Sequence, residues 1–327
     1  MKKIINEPGK IVEEMLQGIV KSYGNLVHQV EDSRVIARND SITQVGLVSG
    51  GGSGHEPAHA GFVGDGMLNA AVLGDVFTSP TPDQILTGIQ AADQGAGVLL
   101  IVKNYTGDIL NFEMAKDMAD MEDIHVEMVV VDDDIAVEDS TYTAGKRGVA
   151  GTVLVHKILG HHARQGASLE ELVSLGEKIV AATKTIGVAL KAATVPEVGK
   201  PGFTLPEDEI EFGVGIHGEP GYRREKIQPS KELAKELVEK TLSSYEQQPQ
   251  TVGVLVNGMG GTPLMEQFVF MNDVLTLLED KGVQVTFHKV GNYMTSIDMQ
   301  GLSLTMIDLA TKDWQTALES NVTTISW

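Results

Sequence analysis

The stretch Val45 to Gly61, VGLVSGGGSGHEPAHAG, constrains this chain more than any other. An apolar run and Ser49 lead into Gly50, Gly51, Gly52 and Gly54, followed by His55, Glu56, Pro57 and His59. Consecutive glycines after a strand forfeit side-chain packing and cost backbone entropy, so they imply positive φ or a close approach to the backbone. A phosphate-binding P-loop needs a lysine after its glycines, and none follows here. A dinucleotide fingerprint counted from Gly50 finds His55 where its third glycine belongs. His55-Glu56-Pro57-Ala58-His59 matches H-E-x-x-H, but that zinc pattern requires a helix on which residues four apart share a face. Pro57 pushes Glu56 out of the α region and has no N–H to donate, so His55 and His59 are not expected to stack. The stretch therefore reads as a polar binding loop, with a tight turn around a hydrogen-bonded histidine as the plain alternative, and no metal is expected.

Around it the chain alternates strand and helix patterns. Lys10 to Tyr23 carries a helical apolar stripe, and Val45 to Val48 is a buried strand feeding the glycines. Met67 to Leu73 fits helix or strand equally. Phe77 to Pro82 is a rigid polar connection with Pro82 opening a helix to Asp93; its hydroxyls either cap that helix or contact a ligand. Gly97 to Val102 is the clearest strand and runs into Lys103-Asn104-Tyr105-Thr106-Gly107-Asp108, before a helix from Ile109 to Met121 that Asp108 could cap. Ligands of open parallel sheets sit outside the carboxyl ends of strands, which aims this loop and the glycine loop at one edge.

Val126 to Val131 is a strand ending in Asp132-Asp133-Asp134, read as a solvated edge rather than a magnesium site. Tyr142 to Ala150 reads as a flexible basic loop, and a helix from Thr152 to Leu159 is followed by His161 and His162. Ser168 and Glu171 form a capping box for a helix to about Ala182, whose pattern continues toward Lys191. Proline and glycine then break the chain as far as Phe212, where Phe212, Val214 and Ile216 alternate as a strand that places His217 at its end beside Gly218. A second α/β unit follows: a helix capped by Ser230, a strand from Thr251 to Val256, and a glycine loop in which Thr262 caps a helix opened by Pro263. Strands Val283 to Val290 and Leu302 to Asp308 complete it. The expectation is an α/β protein of two α/β domains, 1–190 and 191–327, each a mostly parallel or mixed sheet flanked by helices.

Composition narrows the function. A formal charge of −20 argues against a nucleic-acid partner, and the absence of cysteine removes disulfides, thiolate nucleophiles and cysteine-based metal sites together. No signal core and no run long enough to span a bilayer are present, which predicts a cytoplasmic protein without a membrane partner.

Seven strings, GLVSGGGSGHEP, FTSPTPDQI, KNYTGDILNFE, VDDDIAV, YTAGKRGVAGT, TVPEVGKP and EFGVGIHGEPG, strongly resemble the substrate-binding subunit of dihydroxyacetone kinase, and the similarity runs over nearly the whole chain. The resemblance implies that His217 adds through an imidazole nitrogen to the ketone carbon of dihydroxyacetone and holds it as a hemiaminal. Asp108 and His55 would be the acid/base pair near the hydroxyl to be phosphorylated, and Gly52, Ser53 and Lys103 would also contact the sugar. A neutral imidazole is a competent nucleophile, and a covalent bond suits a ligand too small to bind tightly through apolar area.

The chain shows no Walker lysine motif or protein-kinase signature and stops at Trp327. The resemblance therefore implies the split system: no cofactor on this chain, with ADP/ATP and magnesium on a nucleotide-binding kinase subunit that a phosphotransferase-system phosphodonor protein recharges. It also suggests a homodimer. Some relatives bind dihydroxyacetone but act as transcriptional co-activators; retention of Asp108 and His55 favours the kinase.

Overall fold

The computed structural model describes residues 2–41, 43–137 and 145–327. Two six-stranded sheets organise the chain. The first contains β1 (Val27–Gln29), β2 (Val35–Arg38), β3 (Gly46–Ser53), β4 (Ala70–Val76), β5 (Val98–Lys103) and β6 (Val126–Val131), in spatial order β1-β2-β4-β3-β5-β6. Its β4, β3, β5 and β6 are parallel neighbours, while β1 and β2 form an antiparallel margin. The second sheet orders β7 (Thr183–Lys191), β8 (Glu209–Phe212), β9 (Arg223–Lys226), β10 (Thr251–Gly258), β11 (Gln284–Gly291) and β12 (Gln300–Asp308) as β11-β10-β12-β7-β8-β9, with only β10 and β11 parallel. The expected class, α/β with mixed sheets flanked by helices, is what forms.

The helices are α1 (Ile11–Tyr23), α2 (Pro82–Ala92), α3 (Thr106–Asp120), α4 (Thr152–Arg164), α5 (Leu169–Ala182), α6 (Ser230–Ser243), α7 (Leu264–Asp280) and α8 (Lys312–Glu319). Among the described residues no helix is long and apolar enough to cross a membrane. The α4 helix is buried along almost its whole length, and one apolar cluster joins its Val153, Ile158 and Leu159 to Leu47 and Leu99 of the first sheet and to Leu255 and Ile307 of the second. The two sheets thus share a core across α4, and separate clusters fill their other faces.

Several local expectations change. The segment Thr183–Lys191, expected to prolong a helix within 1–190, is strand β7 and pairs with β12 and β8 of the second sheet. Its Thr183, Thr185 and Val188 are β-branched, and those side chains fit a pleated surface better than a helix. Residues 67–73 resolve toward strand, since β4 begins at Ala70. The glycine run is not all loop: β3 continues through Gly50, Gly51 and Gly52 to Ser53, paired with β4 throughout. His161 and His162 lie inside the last turn of α4 rather than after it.

Caps shift as well. Thr81 caps α2 in a box with Gln84, and Ser168 caps α5 in a box with Glu171. Ser230 is the first residue of α6 with an unpartnered buried hydroxyl, and Pro229 holds the cap position. Likewise Pro263 occupies the cap position of α7 while the Thr262 hydroxyl donates to the Gly301 carbonyl at 2.7 Å. Asp133 and Asp134 are buried, not a solvated edge: Asp133 accepts the N–H groups of Val149 and Gly151, and Asp134 pairs with Arg147. Of the expected basic loop, 142–144 lie outside the described residues, whereas Arg147 and Gly148 are buried.

Candidate active site

A cavity of about 660 Å³ opens between the strand ends of the two sheets. Its walls include Gly52, Phe77, Ser79, Tyr105 and Asp108 from the first, and His217 and Glu219 from the turn after β8. The two halves are tied by the loop after β11, whose Ile297 N–H donates to the Gly54 carbonyl at 2.7 Å and whose Thr295 N–H donates to the His55 carbonyl at 3.1 Å.

The glycines act where chain segments crowd. A Cβ on Gly52 would lie 2.5 Å from the Thr78 backbone nitrogen, so only glycine lets β3 approach the 77–79 turn. Gly54 has φ +104, and a Cβ there would meet the Phe77 ring at 2.8 Å. Residues 55–59 follow in turns rather than a helix, and His55 and His59 face different partners. The H-E-x-x-H geometry is not formed. Among the described residues no group of three His, Asp or Glu is placed to hold a metal ion.

His217 was expected at a strand end. Instead β8 stops at Phe212, Gly213 turns the chain with φ +77, and His217 sits in the following turn. That turn brings Glu219 back onto the histidine, accepting the His217 backbone N–H at 3.0 Å and the Nδ1 hydrogen at 2.9 Å. Glu219 is buried, which raises its pKa, but the charge and hydrogen bond of His217, with Arg147 behind, outweigh this and pull it down to about 2. An ionised Glu219 fixes hydrogen on Nδ1 of His217 and directs Nε2 into the site.

His55 is fully buried behind His217, with their Nε2 atoms 3.0 Å apart. Its Nδ1 lies 2.7 Å from the Thr295 carbonyl, which can only accept, so Nδ1 carries hydrogen. The contact between the two facing nitrogens then requires one shared proton. Burial, followed by the charges of His217 and Lys103, pushes His55 well below its ordinary pKa, so His55 is a poor long-term holder of that proton. Phe77 stacks on the His55 ring at 5.2 Å, and Tyr105 meets the His217 ring edge-on at 4.6 Å, which limits both imidazoles to this arrangement.

Asp108 lies in the first turn of α3, whose cap is Tyr105, so Asp108 does not cap the helix. Its Oδ1 accepts the Ser79 hydroxyl at 2.5 Å. Of the hydroxyls before α2, Thr81 therefore caps and Ser79 serves the cavity wall. Lys103 is buried behind Gly51 rather than on the wall, donating to the Gly50 carbonyl at 3.2 Å and to His59 Nε2 at 2.9 Å. A Cβ on Gly51 would meet both Lys103 Nζ and Asp108 Oδ2, which places the ammonium beside the carboxylate. Burial lowers the Lys103 pKa, partly countered by Asp108. Ser53 is buried and donates to the Gly74 carbonyl at 2.7 Å, away from the cavity wall.

The structure thus gathers Gly52, Asp108 and His217 on the cavity wall, sets His55 directly behind His217, and leaves Lys103 and Ser53 behind the wall. Sequence reasoning missed Tyr105 and Glu219, and left Ser79 among hydroxyls that either cap a helix or contact a ligand. Glu219 alone left a local signal, two residues from His217 in the same glycine-rich string.

Residues 17–326 match the Dak1 domain model. The chain belongs to the Dak1 family. This Dak1 chain is 66% identical, over 100% of both sequences, to the PTS-dependent dihydroxyacetone kinase 1, dihydroxyacetone-binding subunit DhaK, of Listeria innocua. It matches the structure of a dihydroxyacetone kinase operon co-activator, Dha-DhaQ, with a TM-score of 0.92 and 42% identity, covering 98% of this chain and 99% of that one. The dihydroxyacetone kinase of C. freundii in complex with AMP-PNP and Mg2+ also aligns with a TM-score of 0.92 and 36% identity, covering 100% of this Dak1 chain but 60% of that chain.

Proposed function

We propose that this chain is the substrate-binding subunit of a split, phosphotransferase-system-dependent dihydroxyacetone kinase in the cytoplasm, and that it holds dihydroxyacetone as a hemiaminal on His217. The observation that carries this reading is the His55–His217–Glu219 array. Once the shared proton has passed to His55, the His217 Nε2 lone pair forms a bond to the ketone carbon, and the carbonyl π pair moves to oxygen. That oxygen takes the proton shared with His55, and Glu219 balances the imidazolium left on His217. The charge before and after is the same. Glycerol, which has no carbonyl carbon, is rejected by the chemistry rather than by fit.

Asp108 then accepts the proton of a terminal hydroxyl as that oxygen attacks phosphorus, with Ser79 and the neighbouring Lys103 orienting the carboxylate. Gly52 lines the sugar's side of the cavity, and Ser53 supports it from behind. The wall's own charges include Asp108 and Glu219, which would repel a polyphosphate, and no metal-binding group is present among the described residues. In this reading ADP/ATP with magnesium belongs to a separate kinase subunit, recharged by a phosphodonor protein, and this chain works as a homodimer.

A co-activator that binds dihydroxyacetone without phosphorylating it is the second reading, favoured by the close structural match to such a protein. It needs no base for a hydroxyl, whereas Asp108 with Ser79 supplies one. Reconstitution with a nucleotide-carrying kinase subunit and its phosphodonor separates the two: dihydroxyacetone phosphate is expected, and none forming from a chain that binds substrate would support the co-activator.

A further inference from the structure

His217 depends on Glu219, yet Glu219 belongs to a glycine-rich turn with no regular element to hold it. The brace comes from the other sheet. Arg147, fully buried in the segment leading into α4, donates through Nη2 to the Gly213 carbonyl at 2.7 Å, where the turn begins. Within the turn, a Cβ placed on Gly215 would lie 2.1 Å from Glu219 Oε2 and 2.8 Å from Arg147 Nη1, so carboxylate and guanidinium flank the same glycine without bonding to each other. Nε donates to Asp134 Oδ2 at 2.7 Å, which fixes the plane of the guanidinium. Nη1 makes no hydrogen bond of its own.

We propose that Arg147 is the positioning residue of the His217 site: it anchors the 213–219 turn at Gly213, presents positive charge to Glu219, and so couples the two sheets to the reactivity of His217. The proposal rests on the reading of His217 as the covalent residue. Lysine cannot replace it fully, because a single ammonium lacks the rigid fork that bridges Asp134 and the Gly213 carbonyl while it holds its charge toward Glu219.

The groups facing Glu219 are His217, Arg147 and the buried Tyr105, and those facing Arg147 are Asp134, Tyr105 and Glu219. Asp133, beside Asp134, is occupied by the N–H groups of Val149 and Gly151. Arg147 is therefore the cation behind Glu219, while His217 is the one in front. Removing it raises the Glu219 pKa, and a protonated Glu219 no longer accepts from His217 Nδ1. Adduct formation in the variant should then fail at a higher pH than in the wild type.

The test is carbon-13 NMR of the full chain with dihydroxyacetone labelled at the ketone carbon, followed from neutral to acid pH. The wild type should move the label from the ketone to the tetrahedral region. Arg147→Gln should lower the adduct equilibrium by about 10- to 100-fold, the range for losing one charge-assisted hydrogen bond, here that to the Gly213 carbonyl, and the loss of charge behind Glu219 should shift its acid limb upward. Arg147→Lys should lower the adduct but leave the acid limb near the wild-type position, and it carries the test if the glutamine chain does not fold. In a Glu219→Gln background, Arg147→Gln should add little, since both act on one link. The proposal is overturned if Arg147→Gln keeps the wild-type adduct and acid limb, if Arg147→Lys equals the wild type in adduct, or if the two losses add fully. A wild type that forms no adduct overturns the covalent reading itself, which keeps the two failures distinct.

Discussion

Replacing Glu219 by glutamine keeps the shape of the turn and removes the charge that the His217 adduct needs. In the free site the change exchanges a charge-assisted hydrogen bond for a neutral one at the 2.9 Å Nδ1 contact, a loss of about 1 kcal/mol. The free site shares one positive charge between His55 and His217, whereas in the adduct it lies wholly on His217; an ion pair near 4 Å at an effective dielectric of 20 is worth about 4 kcal/mol, the upper limit of the difference. His217 keeps 21% of its side-chain surface, so solvent screens part of that figure. The bracket of about 1–4 kcal/mol corresponds to about a 5- to 1000-fold weaker adduct equilibrium. Titration of the chain with ketone-labelled dihydroxyacetone reads the ratio of adduct to free ketone directly. An adduct equilibrium in Glu219→Gln within about twofold of the wild type lies outside the bracket and would refute the role given to the carboxylate.

Asp108→Asn should retain the adduct but slow phosphorylation by about 10²- to 10⁴-fold in the reconstituted system, and wild-type turnover would remove Asp108 from the base role. His156 is buried and neutral, with burial and then the Lys103 charge lowering its pKa to about 3. An unfolded His156 binds a proton below about pH 6.5 while the folded one resists until about 3, so stability is lost as pH falls through that window, by up to about 5 kcal/mol. Urea unfolding should show a shallower acid slope in His156→Gln, and an unchanged slope would contradict the assignment. Gly52→Ala drives a methyl into the backbone at Thr78 and should cost about 1–3 kcal/mol in chemical unfolding while displacing Ser79 and weakening substrate binding. A variant as stable and as tightly binding as the wild type would show that the 77–79 turn can yield.

The parts of this molecule legible in its sequence are those written in local patterns. The strand at Gly97 to Val102 and the capping box at Ser168 are decided within a few residues, and both form. Pro57 and Gly54 mark 55–59 as non-helical, and those residues form turns. The errors sit where distant chain segments decide. Residues 183–191 follow α5 with no proline or glycine at the junction, and the weak local hint of Thr183, Thr185 and Val188 is decided by pairing with β12 and β8. Asp133 and Asp134 look like a solvated acidic run because their partners, from Arg147 to Gly151, lie more than ten residues away. His217 carries family strings that mark it, but the turn that folds Glu219 onto it depends on Gly213 and on the Arg147 brace. Tyr105 left no such mark, since a strand-end tyrosine has ordinary structural uses, and the hydroxyls of 77–82 were legible as caps or ligand contacts without showing which was which.

The central claim is that His217 takes the ketone carbon of the substrate covalently. Carbon-13 NMR of the wild type and a His217→Gln chain, each saturated with ketone-labelled dihydroxyacetone, tests it most directly. A tetrahedral-carbon resonance in the wild type that is missing from His217→Gln is predicted. A bound label that stays a ketone in the wild type, or a tetrahedral resonance that survives in His217→Gln, would contradict it.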